Sequence, residues 1–309
     1  MDSFIRVLPE IRQALADGKP IVALESSVLA QGLPIPQNRD AAERMVRAVE
    51  KAGALPAITA VVHGTPTVGL EAAELERFLA RDGVRKVSAR DLASAIAKKA
   101  DGATTVAATI ALASEVGITV FATGGIGGVH RDAPYDESAD LAEMANSGMI
   151  VVCAGAKSIL DLPATWERLE SYGIPVVGYR TDELPGFFTA STGIRLDTRV
   201  DDPGEIVAIW RAHRALGRRQ SLLVVQPPPE AHALDRGAVD AAVTEAQAEA
   251  RKAGVTGARM TPYLLGAVTR LTNGTSLDAN LALLEQNAAL AGAIATMCAE
   301  SAESFRSSR

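Results

Sequence analysis

Cysteine is scarce. Cys153 and Cys298 are the only two in 309 residues, too few and too far apart for a disulfide framework or a zinc knuckle. That usage fits a reducing, cytoplasmic compartment. Cys153 lies inside an apolar run and reads as a small buried hydrophobe. A basic surplus is also missing. The net charge is −6, so no excess of lysine and arginine neutralises phosphates, and a general nucleic-acid binder is excluded. The basic residues Arg211, His213, Arg214, Arg218 and Arg219 read as the solvated face of a helix. No run approaches the ~18 apolar residues of a membrane span. The segment from Met1 to Pro20 carries Asp2, Glu10 and Asp17 without a long apolar core, so neither a secretory signal nor a membrane partner is expected. Internal repeats and low-complexity tracts are absent as well.

What is present is a chain of ordinary globular make-up, 48% hydrophobic and 22% charged, long enough for a large core. Apolar runs at Ile21–Leu24, Ile58–Val62, Val84–Val87, Ile118–Ala122, Met149–Ala154, Ile174–Gly178 and Ser221–Val225 predict strands. Helical spacing alternates with them at Gln37–Ala52, Leu70–Ala80, Asp91–Ala100, Thr105–Val116, Ser138–Asn146, Ser158–Ser171 and Pro203–Leu216. This alternation predicts an α/β fold with a mostly parallel sheet and helices on both faces. After Pro227-Pro228-Pro229 the chain reads as helical, at Ala233–Ala253, Thr261–Leu271 and Ser276–Ala302. No long polar tract surrounds the prolines, so residues 230–309 read as a helical extension of a single domain spanning 1–309.

Ligands of open α/β sheets bind beyond the carboxyl ends of the strands, so those positions carry the functional reading. Lys157 follows the run Met149–Ala154 and a Gly155-Ala156 turn, with a helix expected from Ser158. Desolvation there would lower its pKa and free the amine as a nucleophile; the plainer alternative is a lysine that snorkels to water. Glu25 follows the first strand. It is a candidate general acid if burial keeps it protonated, or a capping or salt-bridged glutamate. His63 follows the second strand and reads as a hydrogen-bonded histidine as readily as a catalyst. Lys86 could hold a phosphate, or protect a sheet edge. After the fourth strand, Thr123 and His130 bracket Gly124, Gly125, Gly127 and Gly128. Such a loop could adopt positive φ, approach a ligand closely and present amides to an anion, which makes Thr123 and His130 candidate contacts. It is neither a Rossmann fingerprint, since His130 stands where the last glycine belongs, nor a Walker loop, since Ala156 precedes Lys157. Ser138 and Asp140 are explained by helix capping. Asp136 and Glu137 are not, and could bind a hard divalent cation. Together the set suits covalent imine chemistry on a phosphorylated sugar. A Schiff-base aldolase and a non-catalytic sugar-phosphate sensor stay open on these residues alone.

The same residues resemble a family. Ala23-Leu24-Glu25-Ser26, Lys86-Val87-Ser88 with Arg90-Asp91-Leu92, Gly102 to Val106, Phe121 to Arg131, Ser138 to Leu141 and Val152 to Asp161 are similar to pseudouridine-5′-phosphate glycosidases. Thr261-Pro262 and Ser276 to Asn280 continue the match. The resemblance implies three α/β/α layers, a homotrimer and dependence on Mn2+. It implies reversible cleavage of pseudouridine 5′-phosphate into uracil and ribose 5-phosphate. It implies that Lys157 forms a Schiff base with the sugar and that Glu25 donates a proton. By the same resemblance Lys86 and the backbone at Val106 hold the phosphate, and Ser138, Ala139 and Asp140 contact substrate, Asp140 helping proton transfer. Asn280 would contact the base, and Asp136 would bind Mn2+ largely through water. The loop between Arg131 and Asp136 is shorter than is usual in that family, which brings Asp132 and Glu137 in as further metal candidates.

Overall fold

The structure is a computed structural model that describes residues 4–131, 135–255, 257 and 260–307. Its strands are β1 (Arg6–Val7), β2 (Ile21–Glu25), β3 (Leu55–Val62), β4 (Thr65–Val68), β5 (Arg85–Val87), β6 (Gly102–Thr104), β7 (Val120–Ala122), β8 (Val129–His130), β9 (Ile150–Cys153), β10 (Leu160–Asp161), β11 (Val176–Tyr179), β12 (Arg199–Val200) and β13 (Leu222–Val225). Its helices are α1 (Pro9–Asp17), α2 (Gln37–Lys51), α3 (Ala72–Ala80), α4 (Leu92–Ala97), α5 (Val106–Glu115), α6 (Ala139–Ser147), α7 (Leu162–Ser171), α8 (Pro203–Ala215), α9 (Arg236–Lys252), α10 (Met260–Leu271) and α11 (Thr275–Ser307).

The main sheet runs β1-β4-β3-β2-β7-β9-β13-β11-β12, with β6 and β5 added beside β3. Every residue of β2, β7, β9 and β13 is buried, as expected of parallel strands covered on both faces. The pairs of β3 with β4 and with β6 are antiparallel and the rest of the sheet is parallel, so the sheet is mixed but mostly parallel, as the alternation predicts. α11, flanked by α2 and α8, covers one face, and α5 with α6 covers the other. Most of α5 is buried.

One feature of the topology builds the site. β2 pairs with Leu55 to Thr59 of β3, and β6 pairs with the next two residues, Ala60 and Val61, in the opposite direction. Two strands thus share one edge of β3 head-on, and their carboxyl ends meet. A buried hydroxyl clip fixes the junction. Ser26 Oγ donates to Thr59 O at 2.7 Å and accepts the Thr104 amide at 2.9 Å. Thr104 Oγ1 lies 2.8 Å from Thr59 Oγ1. The start of α5 therefore arrives beside Glu25.

Three expectations change. The helix expected from Ser158 begins at Leu162, with Asp161 Oδ1 accepting the Ala164 amide as its cap and Pro163 in its first turn. The residues before it turn and then pair as β10 with β8. Second, β1, β4, β6, β8, β10, β12 and α1 are additions to the elements read from the sequence. Third, α11 contains a segment, Thr275–Ser301, with a window apolar enough to cross a membrane by length and composition. Asp278 and Glu285 break it as a run, and Ala279, Leu283, Leu284, Ala288, Ala291 and Ile294 are buried against the rest of the chain, as a core helix requires.

Candidate active site

The junction of β2 and β6 opens into a cavity of about 380 Å3. Its wall contains Glu25, Lys86, Val106, Thr123, His130, Asp136, Ser138, Ala139, Asp140, Lys157 and Asn280. All the candidate residues that the structure describes, except His63, thus meet in one place. His63 is exposed elsewhere, against Arg77 and Asp101.

Among the described residues Glu25 has neither a helix-capping contact nor a salt bridge. It is 5% exposed, and each of its oxygens accepts a hydroxyl, Thr123 Oγ1 on Oε1 and Ser27 Oγ on Oε2, both at 2.5 Å. Thr123 therefore serves the carboxylate as well as lining the cavity. Lys157 reaches the cavity because the chain turns sharply at Gly155, where φ is 88°. A Cβ there would stand 2.2 Å from Pro185 O, so only glycine fits. The Lys157 ammonium donates to Gly125 O at 2.7 Å.

The structure moves the pKa of Lys86. It faces the cavity and is accessible there, yet protein surrounds it at longer range. This limited hydration pushes its pKa down, and the charge of Lys157 adds to the effect, against the pull of Glu25 and Asp140. Two cations meeting across one small space form a natural site for an anion.

Asp140 acts as a clamp. It is 6% exposed, with Oδ1 accepting the Ala107 amide at 2.9 Å and Oδ2 the Gly127 amide at 2.8 Å. It ties the amino end of α5 to the glycine loop from its own place in the first turn of α6. Thr105 Oγ1 caps the Ala108 amide. The Val106 amide has no acceptor among the described residues and points from a helix N-terminus, the end that favours negative charge.

The glycine loop departs from its expectation. None of Gly124, Gly125, Gly127 and Gly128 has positive φ. A Cβ on Gly125 would meet the Phe187 ring at 2.5 Å, on Gly127 Ser138 Oγ at 2.2 Å, and on Gly128 Thr165 Oγ1 at 2.3 Å. The Gly127 amide goes to Asp140 and the Ile126 amide to Gly155 O. The glycines let the loop lie close against its own protein, and Gly124, Gly125 and Gly127 are also part of the cavity wall.

For a metal the residues present are few. Among the described residues no group of three or more His, Cys, Asp or Glu is placed to hold one. Glu137 is held by Arg168 at 2.8 Å, which removes it as a ready ligand, and Asp132 lies outside the described residues. Asp136 is exposed on the cavity wall and its carboxylate has no hydrogen bond among the described residues. It fits an open site in which one carboxylate is joined by water and substrate oxygens, a mode small divalent cations accept.

Sequence reasoning missed several wall residues: Ser27 and Gln31 after Glu25, Phe187, and Leu265 on α10. Gln31 lies on a π-helical turn over Val28–Gly32 and Phe187 at a positive φ of 68°, neither of which composition reveals. Two carboxamide oxygens of the wall, Gln31 Oε1 and Asn280 Oδ1, are buried without a hydrogen-bond partner among the described residues. Such groups call for a donor.

Comparison with known proteins agrees with this architecture. A family profile described as indigoidine synthase A like protein matches residues 10–297. A protein of Gemmatimonas aurantiaca named pseudouridine-5′-phosphate glycosidase is 62% identical, over 96% of each chain. One of Staphylococcus aureus with the same name is 44% identical, over 96% of this chain and 97% of the relative. Among solved structures, the prealnumycin C-glycosynthase AlnA in complex with ribulose 5-phosphate is 38% identical, with a TM-score of 0.90 and full coverage of both chains. An indigoidine synthase A-like protein of Thermotoga maritima is 35% identical, with a TM-score of 0.88 over 97% of this chain and 98% of the other. With near-complete coverage and shared α/β architecture, this chain belongs to the indigoidine synthase A-like family, among relatives named pseudouridine-5′-phosphate glycosidase.

Proposed function

We propose that the chain is a pseudouridine-5′-phosphate glycosidase, cleaving its substrate reversibly into uracil and ribose 5-phosphate. The observation that carries this reading is the meeting of Lys157, Glu25 and Lys86 in one cavity with the Val106 amide and Asn280. A C–C glycosidic bond leaves no oxygen to protonate, so the route of ordinary glycosidases is closed. A lysine amine opens another. The free amine of Lys157 bonds to C1′ as the C1′–O4′ bond breaks, and the secondary ammonium so formed passes a proton to O4′, which restores the nitrogen lone pair. The nitrogen lone pair then forms C=N as the C1′–C5 bond breaks. The released electron pair stays on C5 of uracil, which takes a proton from Glu25. Water hydrolyses the imine, returning the amine and freeing ribose 5-phosphate. The hydroxyls of Thr123 and Ser27 can donate to Glu25 when it is ionised and accept from it when it is protonated, which suits a group that cycles.

Lys86 and the Val106 amide would bind the phosphate, Ser138, Ala139 and Asp140 would border the sugar, His130 would close the wall, and Asn280 would bind the base. A Mn2+ ion at Asp136 would supply Lewis acidity toward a uracil carbonyl. A homotrimeric assembly and a cytoplasmic location belong to the same proposal. The test is uracil release from pseudouridine 5′-phosphate, with chelator and with Mn2+ restored. Uracil released only with Mn2+ is the expected result. No uracil from folded protein in either condition rejects the reading in favour of an aldolase or a sensor.

A further inference from the structure

The ladder between β7 and β9 steps past one carbonyl. The Thr123 amide donates to Val152 O at 3.0 Å, so in a regular parallel ladder the Ala154 amide would bond Thr123 O. It bonds Gly124 O instead, at 2.9 Å. β2 supplies no replacement, since its last pair with β7 is Leu24 with Ala122. Among the described residues no backbone amide reaches Thr123 O. A side chain takes that place. Asn287 of α11 is 1% exposed. Its Nδ2 donates to Thr123 O at 2.8 Å and, at the longer distance of 3.4 Å, to Gly124 O.

Asn287 is itself held in one orientation. A carbonyl oxygen only accepts, so the amide nitrogen of Asn287 faces Thr123 and its Oδ1 faces away. There Oδ1 accepts from Gln226 Nε2 at 2.9 Å. Gln226 directly follows β13 and is buried. Its Oε1 accepts from Gln286 Nε2 at 3.0 Å, and its amide donates to Cys153 O at 3.1 Å. Both ends of the Asn287 and Gln226 carboxamides are therefore engaged, and a buried network satisfied in this way is rigid. Thr123 is fixed at three points: its amide by Val152, its carbonyl by Asn287, and its hydroxyl on Glu25 Oε1 at 2.5 Å. We propose that Asn287 is a positioning residue for the reaction. By holding the Thr123 carbonyl it places the Thr123 hydroxyl on Glu25, and so fixes the carboxyl group that donates the proton. Asn287 stands behind the cavity wall, which contains Thr123 and Glu25, and acts through Thr123. The proposal rests on the role given to Glu25 above.

The test is a double-mutant cycle on uracil release from pseudouridine 5′-phosphate with Mn2+ present. Asn287→Leu keeps the bulk of the side chain and removes its donor. Thr123→Val keeps the shape and removes the hydroxyl. Each is expected to lower kcat about tenfold or more, as loss of a hydrogen bond to a charged group does. KM in Asn287→Leu should stay within about threefold of wild type, because the proposed phosphate contacts, Lys86 and the Val106 amide, make no bond to Asn287. The double variant should be at most about threefold slower than the slower single one, since both changes remove the same bond. Circular dichroism confirms that each variant is folded. Where Asn287→Leu does not fold, Asn287→Ser, too short to reach Thr123 O, takes its place in the cycle. Losses that multiply in the double variant would overturn the proposal, because a general loosening of the fold acts whether or not the Thr123 hydroxyl is there. A wild-type kcat in Asn287→Leu would overturn it too. Glu25→Gln, measured beside these, separates the proposal from the reading beneath it. No uracil from the wild-type protein, or an undiminished rate in Glu25→Gln, overturns the role of Glu25 and this proposal with it. A slow Glu25→Gln together with multiplying losses overturns this proposal alone.

Discussion

Replacing Asp140 with asparagine separates a clamp from a proton carrier. The carboxylate accepts the Ala107 and Gly127 amides at 2.9 and 2.8 Å while 6% exposed. Asparagine keeps the shape but only one acceptor, and its amide nitrogen turns a donor toward a donor. One bond to a charged acceptor is lost, about 1.5–3 kcal/mol, and the survivor weakens by about 1 kcal/mol as it becomes neutral. The missing charge at the amino ends of α5 and α6 removes about 0.3–1 kcal/mol at each. The expected loss is about 3–6 kcal/mol, a large share of the ~5–15 kcal/mol that holds a typical protein folded. Urea unfolding followed by circular dichroism measures it. KM should rise with the loss, because the Val106 amide moves with the end of α5. A variant within about 1 kcal/mol of wild type, well inside the range of an unremarkable substitution, with kcat alone collapsed, would refute the clamp and assign Asp140 directly to proton transfer.

Gly127→Ala should give unstable or insoluble protein, since its Cβ would fall 2.2 Å from Ser138 Oγ and overpacking is unfavourable by about 1–3 kcal/mol; wild-type thermal unfolding of that variant would remove the close-packing role of the loop. The depressed pKa of Lys86 means its ammonium, and with it phosphate affinity, is present below that pKa and lost as pH rises through it, earlier than for a lysine at the ordinary 10.5. KM should therefore climb at alkaline pH and flatten in Lys86→Arg; identical alkaline limbs would show that Lys86 does not hold the phosphate. Burial pushes the Cys153 thiol up to about 12 and Cys298 to about 11, so both should resist alkylation in the folded protein. Rapid labelling of either by iodoacetamide under native conditions would contradict the packing described.

The central strands were legible because burial on both faces writes a plain apolar run, as in Ile150–Cys153 and Leu222–Val225. The strands that shape the site were not. β6 is Gly102-Ala103-Thr104, with no apolar pattern of its own; its place is set by pairing with β3 and β5 and by the Ser26 clip. β4 contains Pro66, which argues against a strand. It is tolerated because β1 pairs only with Thr67 and Val68, leaving Pro66 a single neighbour. Lys157 and Glu25 could be picked out because each follows a buried strand. The backbone of the glycine loop was not legible for a physical reason: glycine serves close approach to protein as readily as positive φ, and the crowding by Phe187, Ser138 and Thr165 comes from residues distant in sequence. Glu137 misled likewise, its partner Arg168 lying a helix away.

Borohydride reduction in the presence of ribose 5-phosphate, followed by peptide mass spectrometry, tests the imine most directly. A pentose phosphate adduct on Lys157, absent from the Lys157→Ala protein, is the expected result. Continued uracil formation from a protein whose Lys157 stays unmodified under the same trapping conditions would contradict the covalent mechanism.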